Sequence, residues 1–201
     1  FDLNIGGWTH GSPPAYFYPY TRPESSWNAS IPTLHGGSPG EYLPDRLTDE
    51  AIQFIALNKD KPFLVYLSYY AVHTPLQAPD TLIDKYQNLV DGSGIDPIYA
   101  AMVERVDYNV GKILESLKKN ELEKNTVVIL SSDNGGLEDV TNNLPYRRGK
   151  GHLYEGGIRI PLIMRWPGNI KPGTSSGSLT ISEDIFATIV DIAGENAING
   201  K

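Results

Sequence analysis

TVVILSSDNGGLEDVTNNLPYRRGKGHLYEGGIRIPLIMRW, residues 126–166, places a polar loop between two apolar runs. The first run, 126–132, is continuous and short, which predicts a buried strand. The second, 159–166, resembles it but contains Pro161. Proline has no N–H for a ladder, so this strand is expected at a sheet edge or a bulge. Asp133 and Asn134 stand just past the end of the first strand, and Arg147, Arg148 and Lys150 follow in the loop. Oxygen donors and cations in one loop predict a place for a metal ion and an anion. Gly135 and Gly136 let the backbone turn sharply and leave that place clear.

Upstream, Met102, Val106, Val110, Ile113, Leu114 and Leu117 recur at the helical period, with Glu104, Asp107, Lys112 and Glu115 mostly on the other face. This predicts a helix over 98–119, and Lys118 and Lys119 suit its solvated C-terminal end. Residues 43–58 predict a second helix, with Ala51, Ile52, Ile55 and Ala56 on one face and Thr48 as its cap. FLVYLSYY, 63–70, is an unbroken apolar and aromatic run after Pro62 and predicts another buried strand. A short helix over 79–86, a loop over 91–97 and a last helix over 182–193 follow, the last with Ser182 as N-cap and Gly194 as C-cap. Strands alternating with helices predict an α/β fold, a mostly parallel sheet flanked by helices. Residues 1–44 are dense in Gly, Pro, Ser, Tyr and Trp without any period. They predict an irregular aromatic-rich loop region, either a surface excursion or the wall of a binding cleft, before an α/β core portion over 45–201.

The chain has 201 residues, enough for one domain with a core. Its net charge of −7 disfavours non-specific contact with nucleic acid or an acidic membrane surface. No apolar run approaches the ~20 residues of a membrane span. There is no cysteine, so disulfides, zinc–thiolate sites and a cysteine nucleophile are excluded within these residues. Asn28-Ala29-Ser30 matches the glycosylation acceptor pattern, a frequent match. The chain opens without an initiator Met or signal-like run and ends on GENAINGK without a closing element. A piece of a longer protein is the expectation.

In open α/β sheets, ligands bind beyond the carboxyl ends of strands. His73 stands there after 63–70, as Asp133 and Asn134 do after 126–132. A carboxylate beside an amide is a pair of hard oxygen donors, suited to Ca²⁺ or Mg²⁺ rather than zinc. Taken singly, each feature has an ordinary reading. Asp-Asn-Gly is a common turn, His73 can hydrogen-bond within its loop, and RRGKG can be a solvated basic loop. Glu155 can cap a turn or pair with Arg147 or Arg159. The weight lies in the combination.

That combination resembles the sulfatases of the alkaline phosphatase superfamily. The resemblance rests on FLVYLSYYAVHTPLQAP, YAAMVERVDYNVGKILESL, TVVILSSDNGG and RRGKGHLYEGGIRIPLIMRWPG, which occur in the family's order over nearly the whole chain. It implies that Asp133 and Asn134 are the late pair of ligands to a divalent metal, usually calcium. It implies that Lys150 contacts the sulfate and the leaving oxygen, and that His73 lies near the leaving group. These roles agree with the chemistry, because sulfate ester cleavage develops negative charge on the departing oxygen. The aromatic loop with Trp8, His10, Tyr16 and Tyr18 suggests a sulfated carbohydrate as substrate, with His10 among the substrate-binding residues.

The sequence departs from the family in one respect. The formylglycine motif, Cys or Ser followed by x-Pro-x-Arg, is missing. Ser30-Ile31-Pro32-Thr33-Leu34 lacks the arginine and falls after the family's opening segment. The early Asp-Asp metal ligands and the Gly-Lys-Trp-His segment are missing too. The expectation is therefore the C-terminal half of a sulfatase catalytic domain, inactive alone. The N-terminal half, with its formylglycine, would be its partner, and the C-terminal subdomain would also lie outside. A periplasmic or extracellular location is implied by the resemblance. Two alternatives remain: a phosphate or phosphonate ester hydrolase or phosphoethanolamine transferase of the same superfamily, and a non-catalytic binding module.

Overall fold

The computed structural model describes residues 1–22 and 30–194. Asn28 of the glycosylation pattern lies outside the described residues. The elements are α1 (Leu43–Leu57), α2 (Asp80–Leu89), α3 (Pro97–Lys119), a 3₁₀ turn (Glu123–Asn125), β1 (Val128–Ser131), α4 (Glu155–Ile158), β2 (Leu162–Arg165) and α5 (Ser182–Ile192). Two compact units divide the chain, 1–170 and 171–201. The second contains α5, which is closed by Gly194 at φ +80°. Its first turn is capped by Asp184, whose carboxylate accepts the Ile181 N–H at 2.8 Å, so Ser182 opens the helix rather than capping it. No described helix is long and apolar enough to cross a membrane.

In the first unit, α3 packs against both α1 and α2. Its start is fixed by Pro97 and by Asp96, which accepts the N–H groups of Ile98 at 2.7 Å and Tyr99 at 3.2 Å. α1 begins with Pro44 in its first turn, so Thr48 falls inside the helix and is not its cap. Thr48 is fully buried, donates to the Pro44 carbonyl at 2.6 Å and meets the Tyr69 hydroxyl at 2.6 Å. α2 runs three residues past the expected end.

The aromatic-rich opening is not a mere surface excursion, because much of it is core. Six of the ten buried members of the main core precede residue 44: Tyr16, Tyr20, Ile31, Leu34, Tyr42 and Leu43. Tyrosine can enter a core when its hydroxyl is paired. The Tyr16 hydroxyl donates to the His73 carbonyl at 2.9 Å, Tyr42 donates to the Gln77 carbonyl at 2.8 Å, and Tyr20 pairs with Glu41. Burial, reinforced by Tyr42 nearby, pushes the Tyr16 phenol far above its ordinary value, so it remains a donor.

Residues 63–70 are extended and alternate, with Phe63, Val65, Leu67 and Tyr69 partly covered and Leu64 and Tyr66 exposed. The covered face lies on α1, where Phe63 meets Phe54 edge to face. Among the described residues no strand pairs with this segment, so the expected buried strand is an extended run open on one face. The expected mostly parallel sheet also needs correction, although the α/β class holds. The described sheet has two strands, and β1 and β2 run antiparallel with Val128 opposite Arg165 and Ser131 opposite Leu162. The connecting loop explains the direction. Gly135 donates to the Gly157 carbonyl at 3.0 Å, so the chain returns to the end of β1 that it left. It then re-enters the sheet travelling the other way.

One polar network joins α1 to α3. Arg105 donates to both oxygens of Asp45, at 2.8 and 2.5 Å, and the fully buried Asn109 donates to Asp45 at 2.8 Å. The hydrogen bonds it donates to Asp45 raise the Arg105 guanidinium above its ordinary value. Replacing Asp45 with alanine strands a guanidinium and a buried amide together. The full-length protein is expected to lose about 2–4 kcal/mol on denaturant unfolding. Lys112→Ala, which removes the more exposed Lys112–Asp49 bridge, is expected to cost under about 1 kcal/mol. Equal costs would show that the Asp45 network is an ordinary surface pair.

Candidate active site

β1 ends at Ser131, and Asp133 and Asn134 follow at once in a tight bend. The bend is held from inside: the Ser132 hydroxyl donates to the Asn134 carbonyl at 3.0 Å. The Asp133 carboxylate is exposed, and neither it nor the Asn134 side chain makes a hydrogen bond or ion pair among the described residues. Two uncommitted hard oxygen donors at a strand end fit part of a calcium or magnesium shell. They are fewer than such an ion takes, and no group of three His, Asp or Glu side chains forms among the described residues.

Lys150 is brought to this bend by the backbone. Its N–H donates to the Gly136 carbonyl at 3.0 Å, and Gly156 N–H donates to the Arg147 carbonyl at 3.0 Å. The crossing is so close that it requires glycine. A Cβ on Gly135 would lie 1.8 Å from the Gly156 oxygen, and one on Gly156 would lie 1.9 Å from the Arg148 oxygen. The Lys150 ammonium has no carboxylate partner among the described residues. A cation and two oxygen donors are thus held on neighbouring backbone.

His73 belongs to a different cluster. It follows the extended run 63–70, and its carbonyl is held by the buried Tyr16 hydroxyl. Its Nδ1–H donates to the Thr74 carbonyl at 2.9 Å. That bond leaves Nε2 as the ring nitrogen available to a ligand. No hydrogen bond or ion pair joins His73 to Asp133, Asn134 or Lys150 among the described residues. His10 packs edge-on against Trp8 with ring centroids 4.3 Å apart, on a segment tied to the His73 run by the Tyr70 hydroxyl, which donates to the Gly6 carbonyl at 2.6 Å. The start of α3 connects the two clusters. Ala101 and Met102 share the core with Tyr16, while Asp96 N–H donates to the Val140 carbonyl at 2.8 Å and Asn142 donates to the Ser93 carbonyl at 2.8 Å.

Asp133, Asn134 and Lys150 thus lie on one strand-end loop whose backbone is closed by the Lys150–Gly136 and Gly135–Gly157 hydrogen bonds. A sequence-family model described as Sulfatase matches residues 7–195. The chain belongs to the sulfatase family. It is 36% identical over 180 residues to a sulfatase of Formosa agariphila, covering 83% of this chain and 32% of that protein. It is 38% identical over 163 residues to human steryl-sulfatase, covering 77% and 27%. Among solved structures, Ps i-CgsB in complex with k-i-k-neocarrahexaose superposes with a TM-score of 0.73 at 37% identity, covering 85% of this chain and 39% of that one. The sulfatase chain thus spans about a third of the length of the curated relatives it matches. Its fold is the alkaline-phosphatase-like α/β fold of these sulfatase structures.

Sequence reasoning missed a residue that holds the candidate site loop together. Asn143 accepts the Gly136 N–H at 2.9 Å and donates to the Gly136 carbonyl at 3.0 Å. Its amide thus pairs with the backbone as a strand neighbour would, and it shares the Gly136 carbonyl with Lys150 N–H. The signal in the sequence was weak: Asn142-Asn143 before Leu-Pro reads as a turn. His152 was also passed over; it and Arg148 flank Glu138, at 3.6 and 3.9 Å.

Proposed function

We propose that these residues form part of a sulfuric ester hydrolase that cleaves sulfate esters, carbohydrate sulfates included, with a divalent metal. The observation that supports this reading is the Lys150–Gly136 backbone bond, which ties the backbone of Lys150, with its unpaired ammonium, to the loop that carries the unpaired donors Asp133 and Asn134. Asp133 and Asn134 would hold calcium, with magnesium as the other candidate. Bound there, the metal would neutralise charge on the sulfate group. Lys150 stabilises the negative charge that grows on the leaving oxygen, and protonated His73 supplies that oxygen with a proton from Nε2. His10 lines the substrate approach. The nucleophile, a formylglycine, and the remaining metal ligands are assigned to a segment outside residues 1–201. The lack of cysteine supports this, as does the span of about a third of the relatives' length. Residues 1–201 alone are accordingly expected to turn over no aryl sulfate. A periplasmic or extracellular location fits a polymeric sulfated sugar too large to cross a membrane.

The test uses the full-length protein and a chromogenic aryl sulfate. Chelation is expected to abolish hydrolysis, and calcium to restore it. Asp133→Ala is expected to raise the calcium concentration for half-restoration at least tenfold, in activity and in calcium-dependent thermal stabilisation alike. Chelated protein that keeps full activity, with an Asp133 variant indistinguishable from it, would overturn the metal assignment.

A further inference from the structure

A cleft of about 340 Å³ opens beside the Lys150 loop, lined by Glu138, Thr141, Asn142, Asn143, Tyr146, Arg147 and Arg148, with Leu144 at its lip. Its volume falls within the range of small-ligand sites. Its lining is polar in a particular way. Two arginines and one carboxylate line it, and Glu138 is already engaged by Arg148 and His152. Arg147 has no carboxylate partner among the described residues. Its guanidinium instead lies 4.0 Å from the centre of the Tyr154 ring, a stacking that fixes the plane of its N–H donors without neutralising its charge. Arg148 adopts φ +63°, a conformation an arginine rarely takes and one that turns the loop at this point. Arg147 is three residues from Lys150, and its carbonyl accepts the Gly156 N–H of the crossing that positions Lys150.

From this juxtaposition we propose that the cleft is a second anion subsite, in which Arg147 and Arg148 hold a sulfate or carboxylate on the sugar next to the one that is desulfated. This rests on the sulfatase reading and narrows its substrate class to oligosaccharides with an anion on the neighbouring unit. The chemistry fits each wall. A guanidinium offers paired N–H donors to an oxyanion, the Glu138 carboxylate and the Asn142 side-chain oxygen can accept from sugar hydroxyls, and Tyr146 adds an aromatic wall.

The test uses full-length protein and three matched sulfated disaccharides, with a neutral neighbouring sugar, a sulfated one, or a uronate. Wild type is expected to favour a charged neighbour by tenfold or more in kcat/KM, chiefly through KM. The sulfate and uronate arms show which anion is taken. Arg147→Ala is expected to remove most of that preference. Arg148→Gly, which keeps the positive φ without strain, is expected to reduce it too, and gives a second reading if the Arg147 variant does not fold. The subsite alone is overturned if the neutral-neighbour substrate is cleaved as well as the charged ones, or if both variants retain the wild-type preference. Failure of wild type to cleave any of the three substrates or an aryl sulfate overturns the sulfatase reading and the subsite with it.

Discussion

Gly156→Ala in the full-length protein is expected to cut kcat/KM for an aryl sulfate by about 10²-fold or more and to cost about 1–3 kcal/mol of stability. The added Cβ would stand 1.9 Å from the Arg148 oxygen and 2.7 Å from the Arg147 oxygen, where real Cβ atoms stay beyond 3.0 Å. Both obstacles are backbone, so no side chain can swing aside, and the two loops must separate by about 1 Å. The Gly156–Arg147 hydrogen bond is in the path of that shift, and Lys150 lies between the displaced residues. Gly135→Ala presses on the same crossing from the other side, since its Cβ would meet the Gly156 oxygen at 1.8 Å. Once either substitution has opened the crossing, the second has less to displace. The double variant should therefore lose less than the two single losses added together. Gly111→Ala serves as the contrast. It lies on α3 with nothing within 4 Å of its Cβ, so alanine there is expected to stabilise by about 0.5–1 kcal/mol. Wild-type melting and turnover in Gly156→Ala would show that the loops do not cross as described.

The same crossing shows what could be read from the sequence. The helices α1 and α3 were legible because apolar side chains recur at the 3.6 period, whereas their starts at Pro44 and at Asp96-Pro97 were not read. β1 and β2 were legible as strands but not as an antiparallel pair. A continuous apolar run carries no sign of direction, and the direction is set by the contact of Gly135 with Gly157, far along the sequence. The burial of Tyr16, Tyr20 and Tyr42 was illegible for another reason. A tyrosine-rich stretch without period resembles a surface loop until the partners of its hydroxyls are known, and these are His73, Glu41 and Gln77. In the site, Asp133, Asn134 and Lys150 were marked by residue type and by the glycines around them. Asn143 was not, because pairing a side-chain amide with a backbone seven residues away leaves no periodic trace. His73 was marked by type, yet its position is set by the core beneath it, through the Tyr16 hydroxyl, and no hydrogen bond joins it to Asp133 or Asn134 among the described residues.

Lys150→Ala separates charge from architecture. The expected result is a fall in kcat of about 10²–10³-fold with an unchanged fold. The Lys150 contact that helps build the site is its backbone N–H to Gly136, and alanine keeps it. Its ammonium pairs with nothing among the described residues, so its removal is expected to shift stability by less than about 0.5 kcal/mol. Activity and stability should therefore part company here, whereas in Gly156→Ala they fall together. The size of the activity loss follows from where the charge acts. On the proposed role, a fixed cation facing the leaving oxygen is worth more as charge develops there than in the bound ester. The loss should thus fall on kcat more than on KM. It should also be larger for poor leaving groups, such as a sugar hydroxyl, than for an activated phenol that needs less help to depart. Lys150→Arg keeps the charge but spreads it over a planar fork and is expected to recover only part of the rate. Added ethylammonium, small enough to enter the space left by the side chain, is expected to restore some turnover to the alanine variant and none to wild type. An alanine variant with wild-type kcat on a sugar sulfate would remove Lys150 from the chemistry and leave the loop crossing without its purpose.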